Sequence, residues 1–343
     1  MGRTALCLRI AFCGLVVVTF GGVALGEEGP SIAKDSVRVQ AAHISGSEDA
    51  PKEKQMQWKP AIWFNVNGPV ADGSQLTVEF SYPGRKDFSK LTCKADQTPA
   101  GETLKIEECL GSDKFTTDYV GPVDFSIHLR NELQGGDKVL FTGKAVVGKF
   151  VGPAGPQYPE FYVDEDWRIP IGYLSYQYDD GHRDSFFAVT FWYRGNPAAV
   201  DAHLFYKGKD IAKCSVAGNE GSDWKPNSKQ WGWANCSFLG VYKDDPGEAG
   251  YDPKFVIPKN PGEYEVKVLI DKHLARSIKF TVKPDGSFDN GIADANKLGS
   301  KKVIVPVQVI GNQTTSWDQQ AWKTGAFYGN PLKGFTAVAA AAK

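Results

Sequence analysis

A period of two runs through this chain and limits what it can fold into. In "LTVEFSY" Leu76, Val78 and Phe80 alternate with Thr77 and Glu79, and in "VDFSIHL" Phe125, Ile127 and Leu129 are spaced the same way. "GEYEVKVLI" sets Tyr264, Val266 and Val268 against Glu263, Glu265 and Lys267, "RSIKFTV" carries Ile278, Phe280 and Val282, and "FFAVTFWY" (186–193) is a richer run. Successive side chains of a strand point to opposite faces, so each run offers one face to a core and one to water. Gly, Pro, Asn and Asp bound the runs as turn formers. No stretch before residue 315 carries a convincing helical period. The expectation is an all-β chain.

The runs recur in order. "LTVEFSY", Cys93, Cys109, "GPVDFSIHL" and "VLFTGKAVV" are matched by "FFAVTFWY", Cys214, Cys236, "PGEYEVKVL" and "RSIKFTV". Repeats of about 100 residues, with turns between short strands, predict two tandem β-sandwiches. "PGEYEVKVL" resembles the penultimate strand of many immunoglobulin-like and fibronectin-like modules, which implies an Ig-like architecture. The cysteines depart from the antibody pattern, since the pairs lie only 16 and 22 residues apart. The predicted boundaries are 58–150 for the first sandwich, 151–160 for a Gly/Pro linker and 161–286 for the second. A C-terminal docking segment and mobile tail follow over 287–343. Within that segment "KKVIVPVQVIG" has Pro306, which cannot donate to a ladder and predicts an edge strand. Ser316 and Gln319 suggest a capping box for a short helix starting at Trp317.

Residues 1–26 read as a secretory signal: Arg3 and Arg9, an apolar run from Ile10 to Phe20, then Ala24-Leu25-Gly26 as a cleavage site. Residues 27–57 are polar and predict a flexible leader, with a short strand possible at "DSVRVQAAH". With 39 basic and 40 acidic residues the formal charge is −1, and losing Arg3 and Arg9 takes it to about −3. No basic excess exists to neutralise phosphate, so nucleic acid is not an expected partner. No later stretch is long and apolar enough to span a bilayer. The expected location is periplasmic, cell-surface or extracellular. Four cysteines remain after the signal. Cys93–Cys109 and Cys214–Cys236 are favoured because each closes a short loop, worth about 3 kcal/mol by the chain-entropy argument.

Candidate sites are of three kinds. "GSDWKPNSKQWGWANCSF" places Trp224, Trp231 and Trp233 near Cys236. If the bridged cysteine faces the core, Trp231 and Trp233 share the outer face as a platform for a sugar or a protein, unless neighbouring parts of the chain cover them. Trp317 and Trp322 make the C-terminal segment aromatic, and an edge strand there suits strand addition or docking, in cis or in trans. Trp58 and Trp63 read as core or inter-domain packing. Asp179, Asp180 and Asp184, with Asp244 and Asp245, are weak calcium candidates, and turns explain them as well. No GxSxG, HExxH, P-loop or strand-following GxGxxG occurs, no CxxC marks a zinc site, and His43, His128, His182, His203 and His273 are scattered. The leading functional expectation is a non-catalytic exported protein acting through protein–protein contacts, including self-association, with no cofactor unless calcium. A carbohydrate-binding module using the Trp platform is the first alternative. A hydrolase assembled from the acidic loops is the second.

Overall fold

A computed structural model describes residues 29–43, 56–110, 114–131, 136–152, 155, 159–177, 186–194, 200–215, 229–238, 256–289, 291–296, 298, 302–311 and 316–338. These residues form sixteen strands in three sheets of three, five and eight strands, so the all-β expectation holds. The strands are β1 (Ser31–His43), β2 (Trp58–Asn67), β3 (Gln75–Tyr82), β4 (Arg85–Lys94), β5 (Thr103–Leu110), β6 (Gly121–Asn131), β7 (Gly136–Val151) and β8 (Pro159–Val163). They continue with β9 (Ile171–Gln177), β10 (Phe186–Tyr193), β11 (Val200–Tyr206), β12 (Lys209–Ser215), β13 (Gly232–Ser237), β14 (Gly262–Ile270), β15 (His273–Val282) and β16 (Lys302–Val309).

The three-stranded sheet runs β1-β2-β5 and the five-stranded sheet β4-β3-β6-β7-β8. Their inner faces carry the alternation read above: Ile62, Phe64 and Val66 from one, Val78, Phe80 and Ile127 from the other, all buried. Two faces of period-two strands closing on one another are how such sequences hide their apolar side. β1 packs beside β8 without a ladder between them. Cys93 on β4 bridges Cys109 on β5, joining an edge strand of one sheet to an edge strand of the other.

The eight-stranded sheet runs β12-β11-β14-β15-β16-β9-β10-β13. Cys214 on β12 bridges Cys236 on β13, so its two outermost strands are tied together around a second core containing Phe187, Phe191, Val266 and Ile278. Both expected disulfides are therefore present. Counted outward from the disulfides, the two halves have the same order: β1-β2-β5 and β4-β3-β6-β7-β8 against β9-β10-β13 and β12-β11-β14-β15-β16. The register agrees too, Cys109 lying opposite Ile62 on β2 and Cys236 opposite Val189 on β10. The repeat as read from the sequence is displaced at its first strand, while its cysteines and its last two strands are matched as the structure matches them. "FFAVTFWY" is the counterpart of β2, not of "LTVEFSY", whose counterpart is the less conspicuous β11. Apolar richness tracks burial on both faces, not position in the order.

Other expectations are corrected. Residues 31–43 are not a flexible leader. Val37, Val39 and Ala41 are buried against β2, and the possible strand is longer than expected. A β-bulge between Ala33 and Arg38 breaks the period, which hid the strand. The linker over 151–160 overlaps β7 at Val151 and β8 from Pro159 onward. β16 is no edge strand. Residues 302–306 pair with β9 and residues 307–309 with β15, so it passes from one neighbour to the other. Pro306 is the residue at which the β15 ladder has ended, which is where a missing N–H costs least. No helix starts at Trp317. Asp318 Oδ1 accepts from Gln320 N, and a single 3-10 turn follows at Ala321–Lys323. Residues 316–338 pack on their own chain, with Phe327, Tyr328 and Phe335 buried, and residues 339–343 of the predicted mobile tail lie outside the described residues. Residues 1–26 lie outside the described residues.

Candidate functional site: an aromatic groove between two sheet faces

A groove of about 450 Å³, lined by aromatic and polar side chains, lies between the outer faces of β1-β2-β5 and β9-β10-β13. Period-two alternation decides which residues reach it. On β2, Ile62 and Phe64 point to the core, so Trp63 and Asn65 point out. On β10 and β13, Val189, Phe191, Ala234 and Cys236 point in, so Thr190, Trp192, Trp233 and Asn235 point out. The two walls are thus equivalent faces of the repeated halves. Arg38 and Gln40 from β1, with Lys105 and Glu107 from β5, complete the first wall.

The β1 bulge shapes the floor. The Ser36 hydroxyl donates to Ala33 O at 2.6 Å and accepts from Asn65 N at 2.8 Å, replacing the interrupted ladder. Re-aiming side chains is what a bulge does, and here Arg38 comes to lie over the Trp63 ring at 5.5 Å.

Beneath the groove, buried polar groups fix the two halves to the C-terminal segment. Asp166 accepts from Arg194 Nη2 at 2.8 Å, Trp231 Nε1 at 2.7 Å and Asp318 N at 2.7 Å. Glu165 pairs with Arg168 at 3.0 Å and accepts the Tyr328 hydroxyl hydrogen. Tyr328 Oη in turn accepts from Val39 N at 2.8 Å and Arg168 Nη2 at 3.2 Å. Phe327 and Tyr328 hold left-handed φ values of 49° and 57°, a conformation that persists only where surrounding packing imposes it. Burial, and then Asp166, pushes the Asp164 carboxyl above its ordinary range. Burial lowers Arg194 against the opposing pull of Asp166. Burial alone would lower Arg168 too, but Glu165 and the tyrosines Tyr328 and Tyr173 hold it raised.

The expected platform is split by this arrangement. Trp231 is only 5% exposed, its indole N–H committed to Asp166 and its ring under Arg194 at 3.8 Å. It precedes β13, so strict alternation with Trp233 does not apply to it. Trp233 is half-buried on the outer face, packed against the first core, and its side chain has no hydrogen-bond, ring or cation partner among the described residues. Trp317 and Trp322 pack partly buried against the first core, Trp322 edge-on to Phe335 at 5.6 Å, and neither lines the groove. Trp58 is core, its Nε1 donating to Tyr119 O at 2.8 Å. Trp224 and the calcium candidates Asp179, Asp180, Asp184, Asp244 and Asp245 lie outside the described residues. Among the described residues no group of His, Cys, Asp or Glu comes together to hold a metal.

Sequence reasoning missed Arg38, Gln40, Asn65 and Trp192 in the groove, and it read Trp63, which lines the groove, as core or inter-domain packing. Alternation marks Trp63, Asn65 and Trp192 as outward-facing, but nothing local marks what stands opposite them. It also missed a Ser-His-Asp line: Ser126 Oγ to His128 Nε2 at 2.8 Å and His128 Nδ1 to Asp137 at 3.1 Å. That line lies across β6 and β7. β6 is paired on both sides, with β3 and with β7, so its backbone N–H groups are held in ladders and make no oxyanion hole. It reads as a clamp between neighbouring strands.

No family model, curated protein or solved structure matches the chain. Function therefore rests on the groove. Its lining pairs indole faces with side-chain amides and hydroxyls, the equipment for holding a polar ligand that has flat apolar surfaces.

Proposed function

We propose that this is an exported, non-catalytic glycan-binding protein. Its two halves are read as tandem Ig-like, fibronectin-like sandwiches whose facing outer sheets form the binding groove. One observation carries the reading: half-exposed Trp63 and Trp233 share the groove with Gln40 and Asn65, whose side-chain amides have no partner among the described residues. A sugar ring has C–H faces that stack on indoles and hydroxyls that pair with amides, so one ligand satisfies both sets. The repeated strand order supports the sandwich reading. The two cystines support an oxidising compartment and hence export. Of the segment 287–343 offered for a protein partner, residues 316–338 pack on their own chain, which leaves the groove as the better-supported surface.

The test is a glycan array probed with the mature protein, followed by calorimetry on the glycans retained. Trp63→Ala and Trp233→Ala should each weaken binding by about tenfold or more, as loss of a central aromatic anchor does. Trp322→Ala, away from the groove, should leave binding unchanged. Binding indifferent to both groove tryptophans would sink the assignment, and so would cleavage of the retained glycan.

A further inference from the structure

Resting on the glycan reading, we infer that the groove selects sugars bearing an anionic group, a carboxylate or sulfate, and that Arg38 reads that group. The charges that line the groove cancel in pairs. Lys302 meets Asp35 at 3.3 Å, Lys105 meets Glu107 at 3.2 Å, and Arg168 meets Glu165 at 3.0 Å. Among the lining residues Arg38 is left over, with no carboxylate partner among the described residues. It is a residue of the groove wall, brought there by the β1 bulge, and it lies over the Trp63 ring. Stacking of this kind holds a guanidinium by its face and leaves its edge of N–H donors free. An edge so presented binds a planar carboxylate through two parallel hydrogen bonds, and a sulfate through two of its oxygens. A sugar ring stacked nearby on the exposed part of Trp233 or Trp63 would carry its acidic substituent toward that edge. The amides of Gln40 and Asn65, on the same wall, suit the neighbouring hydroxyls. A fully neutral glycan would leave Arg38 without a counter-charge inside the groove.

The experiment compares one sugar skeleton with and without its charge. Calorimetry with oligogalacturonate and with its methyl ester, on the mature wild-type protein, should show the acid bound at least about tenfold tighter at low salt, the size expected of a charge-assisted pair. Chondroitin and chondroitin sulfate form the second arm and decide whether carboxylate or sulfate is the preferred source. Arg38→Gln should bring the ratio of acid to ester affinity to about one, whatever it does to either affinity alone. Arg38→Lys should keep part of the preference, since it retains the charge and loses the fork. Thermal unfolding of each variant checks that the fold is intact. Equal affinity for acid and ester in the wild type overturns the inference and leaves the glycan reading standing, as does a preference that survives in Arg38→Gln. Binding of neither sugar form, nor of any glycan on the array, overturns both. An acidic peptide held as tightly as oligogalacturonate would also overturn it, because the sugar would then be incidental.

Discussion

The two halves of the molecule share a strand order and differ in how they close. In the first, β1 and β8 lie side by side without a ladder, and the disulfide spans two separate sheets. In the second, β16 pairs with β15 and then with β9, so one sheet runs continuously around the core and the disulfide ties its ends. The cores differ in the same way. That of the second half is made of residues between Leu174 and Val307, its own strands and the connections between them. That of the first extends through Trp167 and Ile169 into Trp192, Trp231, Phe327 and Tyr328, residues of the junction and the C-terminal segment. Closure by backbone hydrogen bonds lets a half stand on its own ladder, and closure by side chains ties the other half to whatever supplies them.

The largest effect should come from breaking that tie. Asp166→Ala removes the carboxylate that Arg194, Trp231 and Asp318 N share. It should cost about 3–5 kcal/mol in denaturant unfolding, because it strips a buried cation of its counter-charge. A loss below about 1 kcal/mol, the level of an exposed ion pair, would mean that the junction is not what holds the first half.

Next come the disulfides. Replacing both cysteines of either pair by alanine should cost about 3 kcal/mol. If chain entropy alone acts, the two losses should agree within about 0.3 kcal/mol, since the loops differ only modestly in length. A clearly larger loss for Cys93–Cys109 would show that bridging separate sheets matters more than tying the ends of a continuous one.

Tyr328→Phe is smaller, about 1–3 kcal/mol, for the hydrogen bonds left open at Glu165, Arg168 and Val39. Limited proteolysis should then cut the C-terminal segment sooner than β16, whose backbone is paired along its length, first with β9 and then with β15.

The smallest effect tests the junction by pH. The Asp164 carboxyl is held above its ordinary value of 3.8, first by burial and then by Asp166. A raised acid favours the folded state only while protonated. Its contribution is full below the ordinary value and is lost as pH rises through the raised one. Asp164→Asn can keep the bond its Oδ1 accepts from Asp166 N. It should therefore raise the melting temperature at pH 7 by a small amount, and the gain should vanish below about pH 4.

Much of the fold was legible in the sequence because it is local. Alternation gave β3, β6, β14 and β15 their inner faces, and the short spacing of the cysteines gave both bridges. β1 was obscured by its bulge, and β11 by modest composition. Pro306 suggested an edge strand, but the strand holding it has neighbours on both sides, and Pro306 sits where the β15 ladder has ended and the β9 ladder still runs. The groove was half legible. The outward face of Trp233 follows from period two, whereas Trp63, expected as core or inter-domain packing, lines the groove, and the burial of Trp231 depends on Asp166, 65 residues away.

By itself the sequence determined the all-β class, the in-and-out sense of the strong strands and the cystine pairs. Each is set by neighbours within a few residues, or by a loop too short to close otherwise. Only the tertiary structure decided which outer faces meet, which tryptophans stay open and which charges cancel. Those outcomes join residues as far apart as Asp35 and Lys302, and a strand's own pattern fixes where a side chain points but not what waits there.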